Sequence, residues 1–248
     1  MIARALAAIR SPLASRYLDR CGYGSGREFT DRIVHSVGPG DVLLDVGCGE
    51  GGLRELMEPT ALYVGLDRHA GEQHNEYAKW NMRPSAICDA HQLPIATGTC
   101  RTVAMMQVLE HLRIPVQAFA EVRRVLKPGG YLFITVPFMH QIHHAPHDYH
   151  RYTPYGLKAL ADQTGFDTVY IRPSGGYFRV VAHLLEQAPS VVGDSSVAHA
   201  LARLSIAYPL KALGWCIRKL QYLLDLLDDS QAFTCGYQCI FRKPGDAG

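Results

Sequence analysis

The sequence lacks both a long apolar run and a block of one charge. No stretch reaches the roughly 18 uninterrupted apolar residues that a helix needs to span a bilayer. The 25 Lys and Arg residues nearly balance the 23 Asp and Glu residues, for a formal net charge of +2, and no basic run has aromatic residues interleaved. The charge pattern therefore indicates no nucleic acid partner, and a small-molecule partner is expected.

Paired cysteines are also missing. The seven Cys residues are odd in number and form no C-x-x-C pair, and several stand in apolar runs where a thiol behaves as a small hydrophobe. This pattern excludes a disulfide framework and a cysteine zinc site, and it favours a cytoplasmic protein. Near the start, Arg4 and Arg10 interrupt any secretory apolar core. We predict an amphipathic helical segment over 1–26, with a transit peptide as the alternative.

The remaining chain, 27–248, predicts one large domain. Apolar β-rich runs alternate with helical patterns from 42 to about 172, which is typical of a doubly wound α/β sheet covered on both faces. From 175 to 230 the pattern predicts a helical insertion, after which a last strand is expected to run antiparallel beside its neighbour. The predicted strands are Val42–Val46, Tyr63–Asp67, Ala86–Cys88, Thr102–Gln107, Tyr131–Val136, Phe166–Ile171 and Phe233–Arg242.

The most informative segment is a strand that runs into a glycine turn, from Leu43 to Leu53. Gly47 and Gly49 allow the backbone to turn sharply and to approach a ligand closely. With Gly52 the run also matches G-x-G-x-x-G, so a nicotinamide-dependent oxidoreductase is an alternative. Asp45 favours a different ligand, because its carboxylate would repel a pyrophosphate but attract the ammonium and sulfonium groups of S-adenosylmethionine.

Two further acids follow the next two predicted strands. Asp67 stands where a carboxylate can hydrogen-bond ribose hydroxyls, and Asp89 stands where it can accept from an adenine amine. Because the carboxyl ends of parallel strands share one edge, we expect Asp45, Asp67 and Asp89 to border a single crevice.

These segments resemble class I S-adenosylmethionine-dependent methyltransferases, specifically the type 11 group, from about Arg27 to about Ile171. The runs 89–94, 106–112 and 125–130 carry the resemblance further. It implies a Rossmann-like sheet of seven strands with the last strand antiparallel. The cofactor-binding residues that it implies are Asp45, Gly47, Gly49, Asp67, Asp89, Ala90 and, near the methionine part, Gln107.

Five histidines crowd the run 139–153, directly after the fifth predicted strand, where an acceptor is expected. Methyl transfer needs alignment of the acceptor more than chemical help, but a neutral His suits a hydroxyl acceptor as general base. The run resembles the Pro-His-Asp-Tyr-x-Arg-Tyr-Thr segment of a type 11 subgroup associated with glycan and cell-envelope biosynthesis. O-methylation of a small-molecule or saccharide acceptor is therefore predicted, with N-methylation left open and a non-catalytic adenosylmethionine-binding protein as a further alternative.

Three interpretations of this run stay open. A metal site at His144, His147 and His150 is disfavoured, because no helix aims the three rings at one point, so no metal is predicted. In a structural interpretation, Asp148 pairs with Arg151 and the aromatic residues pack the loop. In the functional one, the candidate bases are His144 and His111, and the acceptor-binding residues are His147, Asp148, Arg151 and Tyr152.

The insertion is strongly apolar from 201 to 227, with Trp215, Tyr222 and a few Lys and Arg residues along it. We expect a helical lid over the acceptor pocket. The alternative is peripheral membrane contact, because aromatic rings and long cationic side chains suit a membrane interface. Such contact would fit a lipid-linked acceptor.

Overall fold

A seven-stranded sheet organises the part of the chain that the computed structural model describes, namely residues 26–57, 61–68, 84–193, 195–228 and 232–245. The spatial order of the strands is β3-β2-β1-β4-β5-β7-β6, and β7 runs antiparallel to both β5 and β6. The strands are β1 Val42–Val46, β2 Leu62–Asp67, β3 Ala86–Ile87, β4 Cys100–Met106, β5 Leu126–Pro137, β6 Asp167–Ser174 and β7 Gly236–Arg242. The predicted α/β fold, its seven strands and its antiparallel last strand are confirmed.

Helices connect and cover these strands. The α4 helix begins as its sequence predicts, because Thr153 caps it by accepting the Gly156 backbone N–H at 3.1 Å and Pro154 occupies the first helical position. Short 3₁₀ turns lie at Leu109–His111 and Asp225–Leu227, and a π-helical turn lies at Arg203–Ala207. The helices are α1 Gly26–His35, α2 Gly52–Met57, α3 Pro115–Val125, α4 Pro154–Gln163, α5 Tyr177–Glu186, α6 Ala188–Val191, α7 Val197–Ala202 and α8 Tyr208–Leu224.

The fifth strand starts earlier than its sequence predicts. The run 127–130 looks like a helix stop, yet β5 begins at Leu126, which pairs with Cys100, and the register shifts before Thr102 pairs with Tyr131. Gly129, at φ +71°, donates its N–H to the Lys243 carbonyl. The glycines therefore form an irregularity inside the strand, where pairing with the C-terminal segment continues the sheet.

Alternation along β4 separates two cores, one on each face of the sheet. Val103 and Met105 pack with the apolar faces of α3 and α4, whereas Ala104 and Met106 pack with α1 and α2. Because successive side chains point to opposite faces of a strand, a strand buried on both sides is apolar throughout. This arrangement leaves the carboxyl edge of the sheet to carry the site.

The predicted helical insertion spans α5 to the turn at 225–227, before β7. Its helices α5 and α8 pack closely, since a Cβ on Gly214 would lie 2.8 Å from the Ala182 carbonyl oxygen. Among the described residues, no helix combines the length and the apolar character that crossing a membrane requires. The amphipathic segment predicted over 1–26 lies outside the described residues, apart from Gly26 at the start of α1.

Candidate active site

A cavity of about 820 Å³ opens at the carboxyl ends of β1, β2 and β4. Strand order reverses here, and such a switch point is where doubly wound sheets bind ligands. The cavity brings together nine of the residues that the sequence predicts for the site: Gly47, Gly49, Asp67, Asp89, Ala90, Gln107, His111, His144 and His147.

The glycine loop after β1 forms one wall. Gly47 and Gly49 both have left-handed backbone conformations, at φ +72° and +54°. A Cβ on Gly47 would clash with Cγ2 of Val108, so a larger residue has no room there. The N–H groups of Gly47 and Cys48 donate to the Leu66 carbonyl at 2.8 and 3.1 Å, which ties the loop to β2.

Two of the predicted acids border the cavity. The Asp67 carboxylate accepts the Gly49 backbone N–H at 2.9 Å. Asp89 accepts the backbone N–H of His91 at 2.9 Å and also contacts its ring. Burial raises the pKa of Asp89, but these hydrogen bonds lower it by more, so the group stays ionised at neutral pH. Both carboxylates can therefore accept hydrogen bonds from the hydroxyl and amino groups of a nucleoside.

Asp45 lies apart from these residues. Its side chain is 1% exposed, its Oδ2 accepts the Tyr63 hydroxyl at 2.7 Å, and it is not among the described residues that line the cavity. Alternation along β1 explains the difference, because Val46 faces the cavity and Asp45 points to the opposite face. The sequence gives no sign of Tyr63 as its partner.

Gln107 follows β4 in a left-handed conformation, at φ +57°. Its backbone N–H donates to the Thr135 carbonyl at 3.0 Å and its Nε2 donates to the Thr135 hydroxyl at 3.2 Å. A non-glycine residue held in this conformation is costly and is common at functional sites. These two bonds fix the Gln107 side chain at the cavity wall.

Histidines form the opposite wall. The ring centroids of His111, His143 and His144 lie 4.8 to 5.3 Å from one another, and His140 and His147 line the same cavity. The sequence predicts His111, His144 and His147 for the site but misses His143 and His140. The dense histidine run indicated that more of its members could reach the cavity. Which of them do so depends on the conformation of the loop, which the sequence does not give.

Glu110 lies behind these rings and is also missed by the sequence. Its side chain is fully buried, and Oε1 lies 3.6 Å from Nε2 of His111 and 3.7 Å from Nε2 of His143. Burial lowers the pKa of His143, but Glu110 and the Asp148 carboxylate raise it by more, so its net shift is upward.

Asp148 and Arg151 pair with each other. Arg151 donates two hydrogen bonds to Asp148, at 2.6 and 2.8 Å, and the backbone N–H of His143 donates to the same carboxylate at 2.9 Å. The Arg151 guanidinium holds the pKa of Asp148 well below its usual range. Tyr152 packs against the core and donates to the Leu109 carbonyl at 3.5 Å.

Of the four residues predicted to bind an acceptor, only His147 is among the described cavity residues. Asp148, Arg151 and Tyr152 instead hold the loop, as the structural interpretation of the sequence expects. The sequence disfavours a metal site at His144, His147 and His150. In the structure a different set of histidines lies together, since one ring nitrogen each of His111, His143 and His144 lies within 4.8 Å of the other two.

The helical insertion reaches this loop from behind. His183 on α5 stacks on His140 at 4.9 Å, and its Nε2 lies 3.1 Å from Oε1 of Gln141. The described cavity residues all lie outside 175–230. The insertion thus supports the histidine loop, and its role as a lid stays a prediction.

Comparison with known proteins locates a family within the chain. Residues 44–134 match the family model described as "Methyltransferase domain". An uncharacterised 37.1 kDa protein in a transposon of Streptomyces fradiae is 33% identical over 106 residues, which cover 40% of this chain and 31% of that protein. A probable S-adenosylmethionine-dependent methyltransferase of Mycolicibacterium smegmatis is 32% identical over 107 residues, or 43% and 41% of the two chains. The chain thus spans well under half the length of these relatives.

Solved structures share the fold. A phosphoethanolamine N-methyltransferase 2 of Haemonchus contortus, crystallised with S-adenosylhomocysteine, superposes with a TM-score of 0.53 at 19% identity, covering 89% of this chain and 53% of that one. The family match falls on β1 to β5 and therefore includes the glycine loop and both cavity acids. Residues 44–134 thus match a methyltransferase domain, and the described part of the chain has the fold of a solved methyltransferase that was crystallised with S-adenosylhomocysteine.

Proposed function

We propose that the protein transfers the methyl group of S-adenosylmethionine to a hydroxyl oxygen of a small-molecule or saccharide acceptor. The observation that carries this proposal is the composition of one cavity, with glycines and two carboxylates on one wall and imidazoles on the other. In the reaction, the acceptor oxygen bonds to the methyl carbon and the carbon–sulfur bond breaks. The sulfonium leaves as the neutral thioether of S-adenosylhomocysteine, and the hydroxyl proton passes to a base.

The cofactor end uses the residues after β1, β2 and β3. Asp67 is positioned to accept from the ribose hydroxyls, and Asp89 and Ala90 border the space for the adenine. Gln107 would contact the methionine part. Asp45 lies behind the glycine loop, so we assign it an indirect role through Tyr63.

The acceptor end offers His111 and His144 as bases. Nδ1 of His111 lies 2.6 Å from the His147 carbonyl, which can only accept, so this nitrogen carries a proton. Nε2 of the neutral ring then holds the lone pair that a general base needs. His144 lines the same wall in a left-handed conformation, at φ +54°.

The size of the cavity supports a small acceptor group. A volume of about 820 Å³ lies within the range of roughly 300–1,000 Å³ that is usual for small-molecule sites. Because the cofactor itself must share this space, a free acceptor has to be small, or only one end of a larger glycan enters.

The surface of the insertion favours a lipid-linked acceptor. Several large apolar side chains between α7 and the end of α8 are at least half exposed, and Lys219 lies over the Trp215 ring at 5.4 Å. We propose that this face contacts a membrane surface peripherally. Co-sedimentation with anionic and neutral liposomes tests it, and the absence of binding to both would reject it. The exposed set includes Leu201, Leu204, Ile206, Leu213, Trp215, Leu220 and Leu223.

Two measurements test the enzymatic proposal. Calorimetric titration with S-adenosylmethionine should show binding, whereas NADH should not bind. Incubation of a cell extract with protein and a labelled methyl donor should then yield a labelled product in the small-molecule, glycan or lipid fraction, resolved by mass spectrometry from proteins and RNA. Cofactor binding without any labelled product would favour the non-catalytic alternative, and label confined to RNA would reject the acceptor class.

A further inference from the structure

The acceptor wall holds more ionisable groups than a single general base requires. Three imidazoles and one buried carboxylate lie together there, from His111, His143, His144 and Glu110. We call this group the imidazole cluster. The Glu110 carboxylate is fully buried, and neither of its oxygens has a hydrogen-bond partner among the described residues. Burying an ionised carboxylate is costly unless a positive charge compensates it. Its nearest ionisable neighbours in the cluster are the rings of His111 and His143.

The proton positions make this contact unusual. Nδ1 of His111 faces the His147 carbonyl at 2.6 Å, and Nδ1 of His143 faces the Asp148 carboxylate at 3.2 Å. Both acceptors place the ring proton on Nδ1, so each neutral ring presents the lone pair of Nε2 to the same carboxylate oxygen of Glu110. Lone pairs facing a carboxylate repel it, unless the rings are protonated or a cation lies between them.

The distances identify the kind of cation. The separations of 3.6 and 3.7 Å from Oε1 of Glu110 to the two Nε2 atoms are too long for hydrogen bonds from imidazolium rings. A metal ion held by the rings would place a positive charge beside this carboxylate, and ligands held at roughly 2.0–2.2 Å around a tetrahedral ion lie roughly 3.3–3.5 Å apart. One ring nitrogen each of His111, His143 and His144 lies within 4.8 Å of the other two, so a small movement of the rings brings all three to one ion.

The surroundings of the rings match those of metal ligands. In metal sites, a ligating His usually donates its second N–H to a carboxylate or to a backbone carbonyl, which fixes the ring orientation. His143 has such a carboxylate in Asp148, which Arg151 clamps through two hydrogen bonds, and His111 has the carbonyl of His147. The two rings are therefore oriented independently of any ion.

We propose that His111, His143 and His144 bind one divalent transition metal ion of the zinc type, with the buried Glu110 carboxylate beside two of the rings as the compensating negative charge. Three imidazoles suit this class of ion better than magnesium or calcium, which prefer oxygen ligands. The role of the ion rests on the proposed function. With the ion bound, the lone pairs of His111 and His144 would serve coordination, so neither ring would act as the base. An acceptor hydroxyl entering from the cavity would instead coordinate to the ion as an additional ligand and lose its proton to water before its oxygen attacks the methyl carbon.

Metal titration of the full chain, freed of any affinity tag and stripped with a chelator, tests the proposal. Calorimetry with Zn²⁺ should show one equivalent bound with a micromolar or lower dissociation constant, and Co²⁺ should give the visible absorption of a low-coordinate site. His111→Ala and His143→Ala should each weaken Zn²⁺ binding at least a hundredfold. His140→Ala is the matched control, because its ring lies 5.0 Å from that of His143 but outside the cluster. It should keep the affinity.

Binding of S-adenosylmethionine is measured in the same samples, so that failure of the cofactor site and failure of the metal site are distinguished. Absence of Zn²⁺ binding by the wild-type chain, or unchanged binding by folded His111→Ala and His143→Ala variants, would overturn the proposal. If the variants do not fold, histidine modification by diethyl pyrocarbonate replaces them. Zn²⁺ should then protect His111, His143 and His144 but not the exposed His199, and equal modification with and without Zn²⁺ would equally reject the site.

Discussion

Asp67 accepts the backbone N–H of Gly49 at 2.9 Å, and this one bond joins the end of β2 to the glycine loop after β1. The carboxylate that is placed to bind a ribose therefore also holds the loop that borders the rest of the cofactor. Cofactor affinity and loop geometry should respond together to changes at this position.

Replacing Asp67 by Ala should weaken binding of S-adenosylmethionine by about 1–3 kcal/mol, since the ligand hydroxyls lose a buried acceptor. Asp67→Asn, which retains one acceptor oxygen, should lose less. Calorimetric affinity checks both, with Asp162→Ala on the exposed face of α4 as control. Equal affinity of Asp67→Ala and wild type would refute the ribose assignment.

Gly47→Ala should destabilise the fold through two separable effects. The left-handed backbone costs about 1–2 kcal/mol for a residue with a side chain, and the contact of the new Cβ with Val108 adds about 1–3 kcal/mol of overpacking. Gly98→Ala isolates the first effect, because Gly98 also has a left-handed φ, +67°, but a Cβ on it would meet no atom within 4 Å. Urea unfolding measures the difference between the variants.

The double variant Gly47→Ala, Val108→Ala should recover most of the additional loss, since it removes the methyl groups that the new Cβ meets. If the double variant loses as much stability as the two single variants lose together, the contact with Val108 is not the cause.

Much of this fold is predictable from local patterns. The limits of β1 coincide with those expected, and Thr153 caps α4 as its position before Pro154 indicates. The start of β5 cannot be predicted from local patterns, because the glycines of 127–130 resemble a helix stop. Only pairing with β4 and with Lys243 makes them part of a strand, and such distant partners leave no local signal.

The residues of the site likewise fall into those that the sequence predicts and those that it does not. Gly47 and Asp67 follow from the strand–turn–helix motif, since parallel strands bring their carboxyl ends to one edge. The positions of Glu110 and His143 do not follow from this motif. The Asp148–Arg151 pair fixes the conformation of the loop that carries His143, and the turn after β4 places Glu110. Asp45 shows the limit of proximity in sequence, since one residue along a strand changes the face it occupies.

Arg151→Ala should destabilise the protein by about 3–5 kcal/mol, because it leaves the side chain of Asp148, only 2% exposed, charged and without its partner. Arg151→Lys should recover only part of this loss, since an ammonium group cannot reproduce the two parallel hydrogen bonds. Lys158→Ala, which breaks the exposed pair with Asp162, is the control and should cost under about 1 kcal/mol. Similar losses in Arg151→Ala and Lys158→Ala, measured by urea unfolding, would contradict a structural role for the buried pair.

His144→Ala should lower turnover far more than it lowers affinity for S-adenosylmethionine. Loss of a general base typically costs about 10²–10⁴-fold in rate, and loss of a metal ligand acts on the same step. Product formation in the labelled-methyl assay and calorimetry of the cofactor check the two quantities, with His199→Ala on α7 as control. An equal fall in both for His144→Ala would indicate that the residue only shapes the loop.

The stability of the protein should fall in mild acid partly because of His183. Burial, together with His140 and Arg179, lowers the pKa of His183 to about 4 in the folded chain, against 6.5 for an ordinary histidine. Between these values the unfolded chain binds a proton that the folded chain excludes. Stability from this group is therefore complete above about pH 6.5 and is lost as the pH falls towards 4.

The His183→Gln variant has no titrating group at this position, so its stability should depend less on pH than that of the wild type. Melting temperatures of both proteins between about pH 4 and pH 8 check it, with His199→Gln as control for the loss of an exposed histidine. The difference between His183→Gln and wild type should change between pH 6.5 and about 4 in favour of the variant, because protonation penalises only the wild-type fold. A constant difference across this range would show that His183 is protonated in the folded chain as readily as in the unfolded one, and that its stack on His140 admits the charge.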